Sequence, residues 1–256
     1  MKPIRTASAV LALLLALTAC GAGAKGGTDA KTGGKTVTVF AAASLTGVFT
    51  RLGQDFEAAH PGTRVVFNFG SSATLAQQIV QGAPADVFAA ASPATMKTVT
   101  DASLAGTPVT FARNRLQIAF PKDNPAHVDA LKDLADPKVK VALCAAQVPC
   151  GAAAAKALGA AGLKVTPVTY EQDVKATLTK VELGEVDAAL VYRTDVLAAA
   201  GKVGGLDFPE AATAINDYPI AALSAAPSGA QAGRFVELVL SPRGRDVLAG
   251  AGFDVP

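Results

Sequence analysis

The sequence predicts an α/β fold in which short strands alternate with helices. Residues Val37–Phe40 alternate as a strand does, and the segment that follows, up to Phe56, places its apolar residues on one helical face. The same unit of a strand followed by a helix recurs along the chain. Because parallel strands need crossover connections that are usually helical, this alternation favours parallel sheets covered by helices.

The other elements follow from the same two periodicities and from helix-capping signals. Further strands are predicted at Arg64–Phe69, Ala85–Ala90, Leu116–Phe120, Lys140–Leu143, Ala188–Tyr192 and Ile220–Leu223. Further helices are predicted at Thr74–Val80, from Ser92-Pro93 onward, and at His127–Leu134, Gly151–Gly159, Asp173–Leu183, Ala232–Leu240 and Arg243–Ala249. Such a body fits one doubly wound domain or two α/β lobes joined by crossing strands, and periodicity alone does not decide between them.

Composition and charge exclude several classes of function. The chain has 256 residues, 50% of them hydrophobic, and a formal net charge of +2, so it carries no broad basic surface that would bind nucleic acid. Its two His and three Cys are too few and too scattered for a Cys/His zinc site. No apolar run reaches the length of a membrane-spanning helix. We therefore expect a soluble body without a structural metal.

The N-terminal segment has the pattern of an export signal followed by a tether. A short cationic start precedes the apolar stretch Ala7–Leu17, and residues 17–21 read Leu-Thr-Ala-Cys-Gly, which resembles a bacterial lipobox. Residues 1–19 would then be removed, and Cys20 would carry the lipid. A plain secretory signal with an incidental cysteine is the alternative. Residues 20–35 are rich in Gly, Lys and Thr and are typical of a flexible tether.

Four predicted junctions between a strand and a helix carry candidate binding residues. They are Ser44, Ser71-Ser72, Val148–Gly151 and Asp173-Val174. The N-terminus of a helix leaves backbone N–H groups without partners and has a partial positive charge, so it binds anions without Lys or Arg. Several such ends that converge would form an anion site. Taken singly, Ser44, Ser72 and Asp173 are better explained as ordinary N-caps.

The sequence carries no enzyme motif that we recognise. It has no G-x-S-x-G elbow, no P-loop and no Rossmann glycine fingerprint. His60 and His127 have surroundings typical of surface residues. Asp86 and Asp187 each stand just before an apolar strand, where a carboxylate pair is conceivable but a turn at the strand entry explains both. We therefore assign no catalytic residue.

Six short motifs, taken in order, resemble the molybdate-binding protein of bacterial ABC importers. They are V-F-A-A-A-S-L-T at 39–46, F-G-S-S-A-T-L-A-Q-Q-I at 69–79, G-A-P-A-D-V-F at 82–88, V-P-C-G at 148–151, E-Q-D-V at 171–174 and V-E-L-G-E-V-D-A-A-L-V-Y-R-T-D at 181–195. The resemblance implies a type II periplasmic-binding-protein fold, with two lobes, each a mainly parallel sheet flanked by helices, and the ligand in the cleft between them. Lobe 1 would comprise residues 36–113 plus 220–256, and lobe 2 residues 114–219.

The resemblance also implies which residues contact the ligand. From lobe 1 these are Ser44 and Ser72, through their hydroxyl and backbone N–H groups. From lobe 2 they are the backbone N–H groups of Cys150 and Val174 and the phenol of Tyr192. The family commonly has alanine where this chain has Cys150, and a contact through the backbone tolerates that change. No metal cation is expected to be bound directly, since molybdenum would enter only as the oxyanion.

The cysteine at this position has a neighbour in the sequence. Cys144 lies six residues before Cys150, and in an exported protein we expect two such cysteines to form a disulfide. The bond would stiffen the loop that presents the Cys150 amide. The alternative is a free, redox-sensitive thiol at Cys150, with its pKa lowered by the helix start.

In function, the resemblance implies an extracytoplasmic subunit that binds molybdate or tungstate and delivers it to the permease of an ABC importer. We expect a monomer without a cofactor, anchored to the cell membrane through the lipid on Cys20, and no nucleic-acid partner. A sulfate- or thiosulfate-binding protein of the same fold is the alternative within this class. Two hypotheses from other classes also remain open, an exported α/β enzyme such as a transferase and a structural lipoprotein without a ligand.

Overall fold

The computed structural model describes residues 35–256, so the predicted signal peptide, Cys20 and all but the last residue of the predicted tether lie outside the described residues. The strands of the described part are β1 Lys35–Ala42, β2 Thr63–Gly70, β3 Val87–Ala89, β4 Val109–Asn114, β5 Leu116–Pro121, β6 Val141–Cys144, β7 Thr169–Glu171, β8 Ala188–Tyr192, β9 Val203–Leu206 and β10 Asn216–Ala222. Its α-helices are α1 Thr46–Ala59, α2 Ser72–Val80, α3 Pro93–Asp101, α4 Pro149–Ala160, α5 Val174–Glu182, α6 Arg193–Ala198, α7 Gly229–Leu240 and α8 Pro242–Gly250. Short 3₁₀ segments lie at Ala43–Leu45, Leu131–Ala135 and Pro209–Ala214.

The strands form two five-stranded sheets with the orders β2-β1-β3-β10-β4 and β7-β6-β8-β5-β9. In each sheet two pairings are parallel and two are antiparallel. The antiparallel strand is β10 in the first sheet and β5 in the second, and each of these arrives from the other sheet. The predicted α/β fold class is confirmed. As predicted, each sheet is mainly parallel, since four of its five strands share one direction and only the crossing strand runs in the opposite one.

Each sheet and the helices that pack on it form a lobe. We call the first lobe the first sheet with α1, α2, α3, α7 and α8, and the second lobe the second sheet with α4, α5 and α6. The chain passes from the first sheet to the second between β4 and β5 and returns between β9 and β10. The residue limits that the sequence suggests for the lobes stay a prediction. No helix within residues 35–256 is long and apolar enough to cross a membrane.

The two lobes are packed with different side chains. In the first lobe the apolar face of α1 packs against α7, where the rings of Phe49 and Phe56 contact Phe235 with centroid distances of 5.9 and 5.5 Å. Helices α2 and α3 bury a second, smaller apolar cluster against the opposite face of that sheet. In the second lobe the buried face of α4 consists mainly of small residues, including Gly151, Ala154 and Ala157. Small side chains bring that helix close to its sheet.

Most predicted elements are confirmed to within a few residues, but one predicted helix is wrong. The segment from His127 to Leu134 begins with a turn, in which the Asn124 side chain accepts a bond from the Val128 N–H at 2.9 Å and donates one to the Val128 carbonyl. His127 has a φ of +52°, which an α-helix does not allow. A local side-chain bond therefore replaces the helical backbone bond, and only the short 3₁₀ segment follows.

Four elements were missed in the sequence, namely β4, β7, β9 and α6. Strand β9 reads Val-Gly-Gly-Leu, and its glycines conceal the strand pattern. A Cβ on Gly204 would lie 2.1 Å from the ring of Phe120, and one on Gly205 would lie 2.6 Å from the side-chain oxygen of Gln117. Glycine is therefore required there by the close approach of the neighbouring strand β5.

Candidate functional site

The five residues suggested as ligand contacts line one cleft between the lobes. Ser44 and Ser72 lie on the first-lobe side, and Cys150, Val174 and Tyr192 lie on the second-lobe side. The cleft has a volume of about 20 Å³, which is far less than the roughly 300–1,000 Å³ of pockets that hold drug-sized ligands. A small inorganic anion is in keeping with this size.

Three helical segments begin at the cleft without a side-chain cap. The 3₁₀ segment at Ala43–Leu45 follows Ala42, and α4 follows Val148, so neither has a polar side chain at its cap position. Ser71 precedes α2 but makes no capping bond. By contrast, Ser92 caps α3 and Ser241 caps α8, both outside the cleft. The first N–H groups of the segments at the cleft therefore remain available to a ligand.

Helix α5 also begins at the cleft, and its cap leaves one amide unused. Asp173 accepts bonds from the N–H groups of Lys175 and Ala176, both at 2.9 Å. The N–H of Val174 donates no such bond to this carboxylate. Among the described residues that line the cleft, Asp173 alone is charged, and none is Lys or Arg. The cleft thus offers an anion mainly neutral dipoles.

The first-lobe hydroxyls are held in place by neighbouring groups. Ser72 Oγ accepts a bond from the Ala91 N–H at 2.9 Å, which leaves the hydroxyl proton of Ser72 free to donate elsewhere. Ser44 Oγ lies 2.9 Å from the hydroxyl of Tyr218, a buried residue of the crossing strand β10. When the Tyr218 hydroxyl donates this bond, the hydroxyl proton of Ser44 is also free to donate to a ligand.

Two buried hydroxyls at the cleft have no hydrogen-bond partner among the described residues. They are Ser71 Oγ and the phenol of Tyr192. Leaving a buried polar group unsatisfied costs about 1–3 kcal/mol. Burial also raises the pKa of Tyr192 well above its ordinary value, as it does the pKa of Tyr218, so both phenols keep their protons and can donate. A ligand with acceptor oxygens would satisfy the unpartnered groups.

A disulfide joins Cys144 and Cys150, with their Cα atoms 5.7 Å apart. It closes the loop that leads from the end of β6 into α4. Gly151 lets this loop fold back tightly, because a Cβ there would lie 1.9 Å from the carbonyl oxygen of Ala145. The backbone of Ala145 is itself bonded to Glu171 at 2.8 Å. The amide of Cys150 is therefore presented by a loop fixed at several points.

A fully buried carboxylate lies behind Tyr192. Asp195 Oδ2 accepts a bond from the Tyr192 N–H at 3.2 Å, and Asp195 Oδ1 lies 3.0 Å from Lys175 Nζ. Burial raises the pKa of Asp195, while the Lys175 charge and these hydrogen bonds act in the opposite direction. Neither Lys175 nor Asp195 is among the residues that the sequence predicts at the site.

The two aspartates considered for a carboxylate pair lie in different sheets. Asp86 accepts bonds from the N–H groups of Thr38 at 2.7 Å and Ser228 at 2.6 Å. Asp187 accepts one from the Lys140 N–H at 2.8 Å. Each carboxylate therefore accepts hydrogen bonds from backbone N–H groups near the start of a strand. Residues 35–256 contain no cluster of three or more His, Cys, Asp or Glu side chains that could hold a metal ion.

Neither histidine lines the cleft. His60 stacks on Phe56 at the end of α1, with ring centroids 4.2 Å apart, and His127 lies in the turn that replaces the predicted helix. Sequence reasoning missed Tyr218 and Ala91, which orient Ser44 and Ser72. Tyr218 gave no signal because one tyrosine in a strand resembles any core residue. Ala91 acts through its backbone, which the sequence does not show.

The sequence is similar to a known protein family and to individual members of it. A family profile described as bacterial extracellular solute-binding protein matches residues 37–254. The molybdate-binding protein ModA of Mycobacterium tuberculosis is 42% identical over 251 residues, covering 96% of both chains. The chain belongs to the ModA family of extracellular solute-binding proteins. This is a family of binding proteins rather than enzymes.

Solved structures agree with the fold of this ModA-family protein. The periplasmic molybdate-binding protein of Azotobacter vinelandii superposes with a TM-score of 0.75 at 23% identity, covering 86% of this chain and 99% of the other. The sulfate-binding protein SubI of Mycobacterium tuberculosis superposes with a TM-score of 0.71 at 16% identity, covering 86% of both chains. At such identities both likenesses concern the fold alone, the two-lobed type II periplasmic-binding-protein fold.

Proposed function

We propose that this ModA-family protein binds molybdate, and tungstate as well, in the cleft between its lobes. The observation that carries the proposal is the convergence of uncapped helix starts and unpartnered buried hydroxyls in a cleft whose lining residues include no Lys or Arg. The identity of 42% to a molybdate-binding protein supports the same ligand.

Each of five residues has a defined role in this proposal. Ser44 and Ser72 donate through their hydroxyl and backbone N–H groups from the first lobe. Cys150 and Val174 donate through backbone N–H groups from the second lobe, and Tyr192 donates through its phenol. Molybdenum is held only through its oxygens, so no residue acts as a direct metal ligand.

The charge state of the ligand explains why neutral donors suffice. Molybdate at neutral pH is a fully deprotonated dianion, so each of its oxygens only accepts hydrogen bonds. Phosphate usually keeps one proton, which needs an acceptor. The five residues proposed to hold the anion act as donors and offer that proton no acceptor, and an unsatisfied buried proton would cost about 1–3 kcal/mol. The site should therefore reject phosphate.

Sulfate is the nearest rival ligand, because it is also a fully deprotonated tetrahedral dianion. It is smaller than molybdate, so discrimination must come from the size of the closed cleft. Tungstate is nearly the size of molybdate and should bind too. The likeness to a sulfate-binding protein at 16% identity concerns the fold and gives no separate support to a sulfate or thiosulfate site.

We further propose that the protein acts outside the cytoplasm as the binding subunit of an ABC importer. Closure of the lobes on the anion brings donors from both sides together, and the closed form then delivers the anion to the permease. A lipid on Cys20 holds this monomer at the cell membrane. Mass spectrometry of the exported protein tests the lipid, since the mature chain would begin at Cys20 with an acyl mass added.

The ligand is tested by isothermal titration calorimetry of the ligand-free protein with sodium molybdate, tungstate, sulfate and phosphate. We expect tight binding at one anion per chain for molybdate and tungstate, much weaker binding of sulfate, and no binding of phosphate. A parallel thermal-shift series should rank the anions in the same order, because a ligand that binds only the folded state stabilises it. Tight sulfate binding without molybdate binding would overturn the proposal.

A further inference from the structure

The buried carboxylate of Asp195 joins two of the three helix starts at which the proposed second-lobe donors lie, those of α5 and α6. Its Oδ2 accepts the N–H of Tyr192 at 3.2 Å, at the start of α6, and its Oδ1 lies 3.0 Å from Lys175 Nζ, in the first turn of α5. Lys175 directly follows Val174 in the chain. One ion pair therefore links the segment that presents the Val174 amide to the residue that presents the Tyr192 phenol.

The position of this carboxylate is unfavourable for an anion site unless its charge is cancelled. Asp195 has 0% side-chain exposure, and the backbone of a cleft residue is bonded directly to it. A buried negative charge repels a dianion more strongly than an exposed one, because the interior screens charge poorly. Asp173, at the cap of α5, adds a second negative charge near Asp195. Lys175, with 36% side-chain exposure, provides the paired cation.

We propose that Lys175 and Asp195 are positioning residues of the oxyanion site, which fix the Val174 amide relative to the Tyr192 phenol and neutralise the buried charge behind the ligand. This inference rests on the proposed binding of molybdate. It assigns a purpose to a costly feature, since burial of the charged Asp195 carboxylate is unfavourable unless a partner compensates it. Neither residue is among those that line the cleft. Both act through the residues beside them.

The test compares four variants by titration with sodium molybdate. Lys175→Met keeps the length of the side chain but leaves the Asp195 carboxylate unpaired, so we expect affinity to fall at least about 30-fold. Lys175→Arg restores the cation and should stay within about threefold of the unsubstituted protein. Lys180→Met is the matched control, because Lys180 lies on the same helix in an exposed pair with Glu185 at 2.6 Å, and its affinity should not change.

The double variant Lys175→Met with Asp195→Asn separates charge from packing. The asparagine keeps an oxygen for the Tyr192 N–H, and no unpaired charge remains. We therefore expect it to bind at least about fivefold more tightly than Lys175→Met alone, as a coupling between the two sites requires. An affinity no better than that of the single variant would show that charge cancellation is not its role.

Melting temperatures without ligand separate positioning from a purely structural role. If the pair only stabilised the lobe, Lys175→Met would lower the melting temperature while leaving the affinity of the folded protein at that of Lys180→Met, and the inference would be overturned. Loss of affinity in Lys175→Met with recovery in Lys175→Arg supports it. An unsubstituted protein that fails to bind molybdate overturns the proposed function itself, and this inference with it.

Discussion

The first and second lobes approach the cleft with corresponding topology but different donor groups. The interior strand β1, next to the sheet edge, is followed by Ser44 in the first lobe, as the corresponding strand β6 is followed by Cys150 in the second. The edge strands β2 and β7 are likewise followed by Ser72 and Val174. The first lobe thus has serine hydroxyls at two positions where the second lobe has residues that are proposed to donate only through their backbone amides.

Because of this difference, the two lobes constrain their sequences at the site in different ways. A hydroxyl donor fixes the residue type, since the serine oxygens are also bonded to Tyr218 and Ala91. A backbone donor fixes only the path of the chain, which the second lobe secures with a disulfide and a tight glycine contact. The first lobe should therefore be sensitive to changes of side chain at the site, and the second to changes that move its backbone.

The largest loss of molybdate affinity is expected from a substitution that moves the backbone of the second lobe. In Gly151→Ala the new Cβ would lie 1.9 Å from the carbonyl oxygen of Ala145 and 2.7 Å from that of Cys144, so the loop must shift. Overpacking of this kind costs about 1–3 kcal/mol of stability. Since a displacement of about 1 Å can cost 100-fold at a preorganised site, we expect molybdate affinity to fall by about 100-fold or more in calorimetry.

The same helix provides the control for this substitution. A Cβ on Gly159, also in α4, has no atom within 4 Å. Gly159→Ala should leave affinity unchanged and raise the free energy of unfolding by up to about 1 kcal/mol, as alanine does in a helix. If both variants bind molybdate like the unsubstituted protein, the Cys150 amide is not a ligand donor.

A second pair of variants compares corresponding residues of the two lobes. Ser72→Ala removes a donor to a charged acceptor and leaves the Ala91 N–H without its partner, so we expect affinity to fall by about 10- to 100-fold. Val174→Ala keeps the amide, and we expect affinity within about threefold. Its cost should appear instead as a loss of about 2 kcal/mol in the free energy of unfolding, because the Val174 side chain is buried.

For Ser72→Ala and Val174→Ala, chemical denaturation gives the free energy of unfolding and calorimetry gives the molybdate affinity. Equal losses of affinity in the two variants would contradict the division between a lobe that binds through side chains and a lobe that binds through its backbone.

The same division explains how much the sequence could predict. Periodicity and capping signals locate most strands and helices, and Ser44 and Ser72 stand out because they carry polar atoms at strand ends. Cys150 and Val174 present no distinguishing side chain, so only the resemblance to a family singled them out. The Lys175–Asp195 pair escaped prediction because residues 20 apart in sequence become neighbours only when α5 and α6 pack together.

The smallest effects concern Tyr192, the one second-lobe residue proposed to bind through its side chain. Its phenol has no partner among the described residues, so Tyr192→Phe should lower molybdate affinity about tenfold, as loss of a hydrogen bond to a charged acceptor does. Without ligand, stability should be unchanged or higher by up to about 1 kcal/mol, because an unsatisfied hydroxyl is removed. Tyr218→Phe is the comparison, and it should lower stability by about 1 kcal/mol since it breaks the bond to Ser44.

The pH dependence of the free energy of unfolding gives a second test of the Tyr192→Phe variant. Burial raises the pKa of Tyr192 and Tyr218 above the usual value of about 10. A folded-state pKa above the unfolded value gives stability that is complete below about pH 10 and declines as the pH rises further. Tyr192→Phe removes one such group, so its free energy of unfolding should decline less steeply from about pH 10 to 11 than that of the unsubstituted protein. Equal slopes would mean that the phenol of Tyr192 titrates alike in the folded and unfolded chains, and its burial at the second-lobe wall would then be wrong.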